Sequence, residues 1–340
     1  MLIDTEAQLE ERLSRPSPAD IDALAALEGD LIVLGAGGKM GPSLVQLARR
    51  AADAAKIRKR IMAVARFTDK RLPARLQFQN IETIACDMLE PGALARLPQV
   101  PHVIFMAARK FGTTDSEHLT WAINAYLPGL VAEAFRDSQI VCFSSGNVYP
   151  LLPRNHTGAT EATPPAPQGE YAQSVLARER MFEYAADRWG TRSVLLRLNY
   201  AVELRYGVLV DIAQAVFRRQ PVDVRMPAVN VIWQGDANSV CIRSLAHCQT
   251  PPFILNLTGP ETLSVRELAG EFGRRFGIEP VFTGQESDTA LLNDASRARA
   301  LFGRPSVPVN EMLDWVAHWI SREKPTLQKP THFQTTDGKF

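Results

Sequence analysis

Leu31-Ile-Val-Leu-Gly-Ala-Gly-Gly-Lys-Met-Gly41 decides the fold of this chain. Four apolar residues make a short buried strand, glycines follow at 35, 38 and 41 with the spacing GxxGxxG, and a helical stretch opens directly after them. A strand that turns at once into a helix needs a tight turn, a backbone bare enough to meet a ligand, and close strand–helix packing. Glycine serves all three needs. The first N–H groups of such a helix lack intrahelical partners and form a seat for a pyrophosphate. Gly35, Gly38 and Gly41, with Lys39 and Met40 between them, are therefore expected to bind a dinucleotide.

Working outward, further apolar runs at 61–65, 81–85, 102–107, 139–144 and 193–198 alternate with helical stretches at 40–55, 116–136 and 171–188. Short, nearly continuous apolar strands separated by helices indicate a parallel sheet covered on both faces. The fold class is thus α/β, a Rossmann-type doubly wound parallel sheet over 30–200. After Asn199 the alternation loosens into helices near 207–219, 236–247, 264–276 and 309–321 with a strand at Phe253–Leu257. This describes a smaller C-terminal substrate lobe over 201–322 that can return elements to the sheet. Residues 1–29 read as a helical extension broken near Ser14–Pro18, and Thr163-Pro-Pro-Ala-Pro167 as an inserted loop. The polar tail 323–340 is either a docked strap or disordered.

Lys plus Arg number 38 against 37 Asp plus Glu, so no basic field points to nucleic acid. No apolar run is long enough to cross a membrane, and MLIDTEAQLEERL lacks the apolar core of a secretory signal. The four cysteines and six histidines show no metal-ligand spacing. No metal is expected, and a reducing, cytoplasmic compartment is.

The second strand ends in Val64-Ala-Arg-Phe67, where an acid would bind the ribose hydroxyls of NAD and repel a 2′-phosphate. Arg66 stands there instead, with Lys39 as a second cation, so NADP is favoured over NAD. With these residues in view, the chain resembles the extended short-chain dehydrogenase/reductase family, also called the NAD-dependent epimerase/dehydratase family. The resemblance runs from about Asp30 to Ile320. It implies that Asp87 and Met88 meet the adenosine, that Ala107 and Ala108 line the cofactor ribose, and that Asn124 contacts the cofactor. In Phe143-Ser-Ser-Gly-Asn-Val-Tyr-Pro150, Ser145 corresponds to the catalytic serine or threonine, and Tyr171 to the catalytic tyrosine. Arg109 and Lys110 are expected to recognise an anionic substrate group, since a guanidinium suits a carboxylate or phosphate; Asn147 is a further substrate candidate, and Asn199 and Arg205 sit where the family's substrate lobe begins. Trp121 and Phe111 read as core.

The chain departs from the pattern at one position. The family tyrosine is followed four residues on by lysine, and here Tyr171 is followed by Val175. Residues i and i+4 share a helix face, so the lysine's charge would lie beside the phenol, lowering its pKa, and would hold the nicotinamide ribose. Three readings stay open. Another cation replaces it, Arg109 or Lys110 before Arg178, which lies about 10 Å along the helix axis. Alternatively the chemistry needs no tyrosinate, or the protein binds a dinucleotide without turning over. The resemblance implies an NAD(P)-dependent oxidoreductase, epimerase or dehydratase acting on a sugar, sugar nucleotide or related polyhydroxy substrate, and a homodimer paired through 116–136 and 171–188. The alternatives are a regulatory dinucleotide-binding protein and a non-redox lyase or isomerase on the same fold.

Overall fold

Each apolar run becomes a strand of one seven-stranded sheet. A computed structural model describes residues 2–110, 112 and 115–338; Phe111 lies outside them. The strands are β1 (Leu31–Leu34), β2 (Ile61–Ala65), β3 (Glu82–Ala85), β4 (His102–Phe105), β5 (Gln139–Ser145), β6 (Arg192–Leu198) and β7 (Phe253–Leu257). All pair in parallel in the order β7-β6-β5-β4-β1-β2-β3. The order reverses direction at β1, where β1 lies between β4 and β2, and ligands of open α/β sheets bind outside the strand ends at such a point.

The helices are α1 (Glu6–Leu13), α2 (Pro18–Ala26), α3 (Gly41–Ala54), α4 (Leu72–Gln77), α5 (Glu117–Trp121), α6 (Leu127–Ala134), α7 (Gly169–Trp189), α8 (Val208–Phe217), α9 (Gln234–Arg243), α10 (Val265–Phe276), α11 (Ser296–Phe302) and α12 (Val309–Ser321). Alternate residues of β1 enter opposite cores, as the two-residue strand period requires. Leu31 and Val33 pack with α3 and α9, whereas Ile32 and Leu34 pack with α6 and α7. Two positions differ from expectation. The helix expected at 116–136 is interrupted by a π-helical turn at Ala122–Tyr126, and Trp121 is 37% exposed rather than core, its indole N–H bonded to Glu170.

A third core, built by α8, α10 and α12, belongs to the lobe and also takes Leu9 and Leu13 of α1. The extension does break as expected: Ser17 caps α2 reciprocally with Asp20, and Pro18 begins the new helix. After α12 the tail is docked. Leu327 N–H donates to the Arg205 carbonyl at 2.9 Å, Thr331 donates twice to Asp211 Oδ2 at 2.8 and 2.6 Å, and Phe333 is buried in the lobe core.

Candidate active site

The turn after β1 shows which glycines the protein itself requires. Gly35 has φ +95°, and a Cβ there would stand 2.5 Å from the Ala107 nitrogen. A Cβ on Gly41 would stand 2.2 Å from the Ala36 carbonyl oxygen, so α3 can approach the strand only without one. Gly38 differs, because its nearest neighbour would be the Gly35 oxygen at an ordinary 3.5 Å. Nothing in the protein's own packing demands glycine there.

Gly38 faces a cleft of about 250 Å³ that also touches Gly35, Arg66, Asp87, Met88, Ala107 and Ala108. Arg66 and Asp87 form a half-exposed ion pair at 3.8 Å. Met40, the N-cap of α3, supplies no side-chain acceptor to the helix's first N–H groups. A bare turn, an uncapped helix start and a cation at the end of the second strand fit a dinucleotide, with Gly38 and the α3 N-terminus at the pyrophosphate and Arg66 at the adenosine ribose. Gly37, whose Cβ would meet Ala65 at 2.9 Å, lines the same cleft. It lies off the GxxGxxG spacing and was therefore missed.

Three of the expected cofactor contacts lie elsewhere. Lys39 points to the other side of the turn: its Nζ donates to the Ala201 carbonyl at 2.7 Å and lies 4.3 Å from the Tyr206 ring centroid. Met40 also lines that second space. Asn124 is wholly buried in the π-helical turn, and its amide is consumed by four bonds. The Oδ1 accepts from Arg109 N–H and Arg178 Nη2, and the Nδ2 donates to the Arg109 carbonyl and Ser174 Oγ. It positions the loop after β4 rather than a ligand.

The second space, about 180 Å³, opens at the C-terminal ends of β5 and β6 and brings together Ser145, Asn147, Tyr171, Asn199, Lys39 and Lys110. Ser145 Oγ accepts the Asn147 N–H at 3.2 Å. Tyr171 enters from the first turn of α7, and a hydrogen bond with Ser145 and the charge of Arg178 act on its phenol. Burial outweighs both and holds the phenol above its usual pKa. Tyr171 is thus protonated at neutral pH, a hydrogen-bond donor and acid.

Val175 is buried with Val148, Tyr149 and Ala159. Two other cations act on the Tyr171 ring. Lys110 Nζ lies 5.8 Å from the ring centroids of both Tyr171 and Tyr200, and burial lowers its pKa to about 8. Arg178 reaches the phenol electrostatically because helical side chains lean toward the helix N-terminus, which the axial spacing alone had hidden. Its guanidinium is buried and bonded to the carbonyls of Asn124, Phe143 and Ala107.

Two expected substrate contacts are structural. Arg205 is held by Glu203 at 3.1 Å and by Glu10 at 2.8 Å, tying the lobe to α1. Arg109 turns back on its own loop, with Nη2 donating to the Gly112 carbonyl at 2.7 Å. Beneath the site, Glu179 and Arg197 form a fully buried bidentate pair at 2.9 and 2.6 Å. Arg197 also donates to the Tyr149 hydroxyl, which donates to Asn256, so α7, β6 and β7 are joined by one polar chain. Among the described residues, no group of three His, Cys, Asp or Glu could hold a metal ion.

The family model for NAD-dependent epimerases and dehydratases matches residues 31–202, from β1 past Ser145 and Tyr171. The chain belongs to the NAD-dependent epimerase/dehydratase family. Solved structures show the same fold at low identity. The UDP-glucuronic acid 4-epimerase of Bacillus cereus is 16% identical with a TM-score of 0.73, over 86% of this chain and 99% of that one. The UDP-glucose 4-epimerase of Thermus thermophilus, in complex with NAD, is 19% identical with a TM-score of 0.69, over 85% and 98%. The epimerase of Methanothermobacter thermautotrophicus is 17% identical with a TM-score of 0.72, over 90% and 96%. No curated protein matches the chain. As a member of this family the chain is an enzyme with an NAD(P)-type cofactor. Among the described residues, no helix is long and apolar enough to cross a membrane.

Proposed function

We propose that the protein is an NAD(P)-dependent epimerase, dehydratase or reductase of a sugar nucleotide or related polyhydroxy compound, working with Ser145 and Tyr171 and without the family lysine. One observation carries this reading: Ser145 and Tyr171 are hydrogen-bonded to each other in a polar space beside the dinucleotide cleft, while Lys110 faces the tyrosine ring where Val175 cannot. When bound, the nicotinamide would take or return hydride at a substrate carbon. Ser145 Oγ would hold the substrate oxygen, and the Tyr171 phenol would give its proton to that oxygen or take one back. Charge that develops on the phenol would be stabilised by Lys110 across the ring and by Arg178 on the same helix. The fold shared with the UDP-sugar 4-epimerases supports a sugar nucleotide.

Arg66 supports NADP, since a guanidinium suits a 2′-phosphate; Lys39, bonded to the Ala201 carbonyl, does not add to it. Trp121, Tyr126 and Tyr184 are exposed on the α5–α7 surface and support a homodimer through it. Four free cysteines, three of them buried, accord with a reducing, cytoplasmic setting.

The test is turnover across a panel of sugar nucleotides, followed by nicotinamide absorbance and product chromatography. Tyr171→Phe is expected to slow the best substrate by roughly 10²–10⁴, the scale of acid–base assistance. Equal turnover in the variant and the native enzyme would remove Tyr171 from the chemistry.

A further inference from the structure

The cavity beside Tyr171 holds two ammonium groups that come from different loops. Lys39 rises from the glycine turn and Lys110 from the segment after β4. Burial lowers the pKa of each to about 8, against the opposing pull of Glu203 on Lys39 and of Asp211 on Lys110. Glu203 Oε2 accepts from Arg205 at 3.1 Å while its buried Oε1 accepts no hydrogen bond, and Asp211 Oδ2 accepts twice from Thr331. An anionic group in this space would accept hydrogen bonds from charged donors on two loops, which are roughly twice as strong as the neutral ones a sugar hydroxyl would make. The remaining walls are hydrogen-bonding, from Ser145, Asn147, Asn199 and Tyr206. A volume of about 180 Å³ equals roughly six waters, enough for one sugar-sized unit.

We infer that this cavity takes a substrate carrying a negative charge on the sugar unit itself, bound by Lys39 and Lys110 next to the reacting carbon. The inference rests on the proposed function, whose substrate class it narrows to acidic sugars. Lys39 thereby acquires a role unusual for a glycine-turn residue, because it serves the substrate rather than the dinucleotide.

The experiment is calorimetric titration of the full chain, with and without NADPH, using matched probes. These are UDP-glucuronic acid against UDP-glucose, glucuronate against glucose, and glucose 6-phosphate against glucose. The acidic member is expected to bind at least tenfold tighter in one pair or more, the scale of one charge-assisted hydrogen bond. Preference within the glucuronate pairs assigns a carboxylate, and preference only for glucose 6-phosphate assigns a phosphate. In Lys39→Met and Lys110→Met, each checked for folding by circular dichroism, the preference should fall below threefold. A ratio near one in every pair of the native protein overturns the inference, and so does a full preference surviving in Lys39→Met. Tyr171→Phe separates the two claims, since it should lose turnover and keep the preference. Retained preference with no turnover in the native enzyme would sink the proposed function alone.

Discussion

Alanine placed at each of the three glycines should separate folding from binding. At Gly41 the new carbon would stand 2.2 Å from a backbone oxygen, so α3 must back away from β1. Such overpacking costs about 1–3 kcal/mol or more. At Gly35 a 2.5 Å approach to the Ala107 nitrogen is compounded by φ of +95°, which adds roughly 1–2 kcal/mol of backbone strain. At Gly38 the new carbon meets only the Gly35 oxygen at 3.5 Å, with no positive φ, so stability should stay within about 0.5 kcal/mol of native. The same methyl projects into the cleft where the pyrophosphate would lie. Loss of one hydrogen bond to a charged group costs about 1.5–3 kcal/mol, which is roughly a 10- to 150-fold weaker dinucleotide. The assay pairs thermal denaturation with NADPH fluorescence titration on all three variants. Native affinity in Gly38→Ala, or a native melting temperature in Gly41→Ala, would refute the division of labour.

NADPH should bind more tightly than NADH, and Arg66→Asp should reverse that order in the same titration; a native preference for NADH would show that Arg66 serves only Asp87. Val175→Lys should give little or no gain in turnover and should lower the melting temperature, because it places an ammonium among Val148, Tyr149 and Ala159; a large gain in activity would mark the native pocket as disabled. Glu179→Gln leaves Arg197 buried beside a neutral amide and should destabilise the fold by about 3–5 kcal/mol, read from urea denaturation; an unchanged midpoint would contradict the buried pair. Sedimentation should give twice the 37.6 kDa chain mass at micromolar concentration, and a monomer only would leave the aromatic surface of α5–α7 unexplained.

Backbone pattern was the legible part of this chain. The seven strands follow from apolar runs, and the site lies where it must because strand ends and the glycine turn meet at the switch in strand order. The family resemblance singled out Ser145 and Tyr171, and the structure brings both to the second space. Long side chains were not legible. Lys39, Arg178 and Arg205 each have several bonds of reach, and their directions are set by partners distant in sequence, namely Ala201, Phe143 and Glu10, while Arg109 folds back on Gly112 of its own loop. Asn124 was misassigned for a related reason: an amide can serve a ligand or the backbone, and only the π-helical turn, which carries no composition signal, shows that all its bonds are already made.

The two helices ahead of β1 have a practical consequence for anyone trimming the chain to match the shorter family folds. Glu10 is one of the anchors of Arg205, and Leu9 and Leu13 fill the lobe's core. The segment from Ala201 to Tyr206 carries both the carbonyl that receives Lys39 and the ring beneath it. Removing the extension would therefore slacken one wall of the substrate cavity, and would also strip Leu24 of α2 from the core it shares with β1 and α3. A shortened chain would be a poor stand-in for substrate profiling even if it expressed well and still bound cofactor.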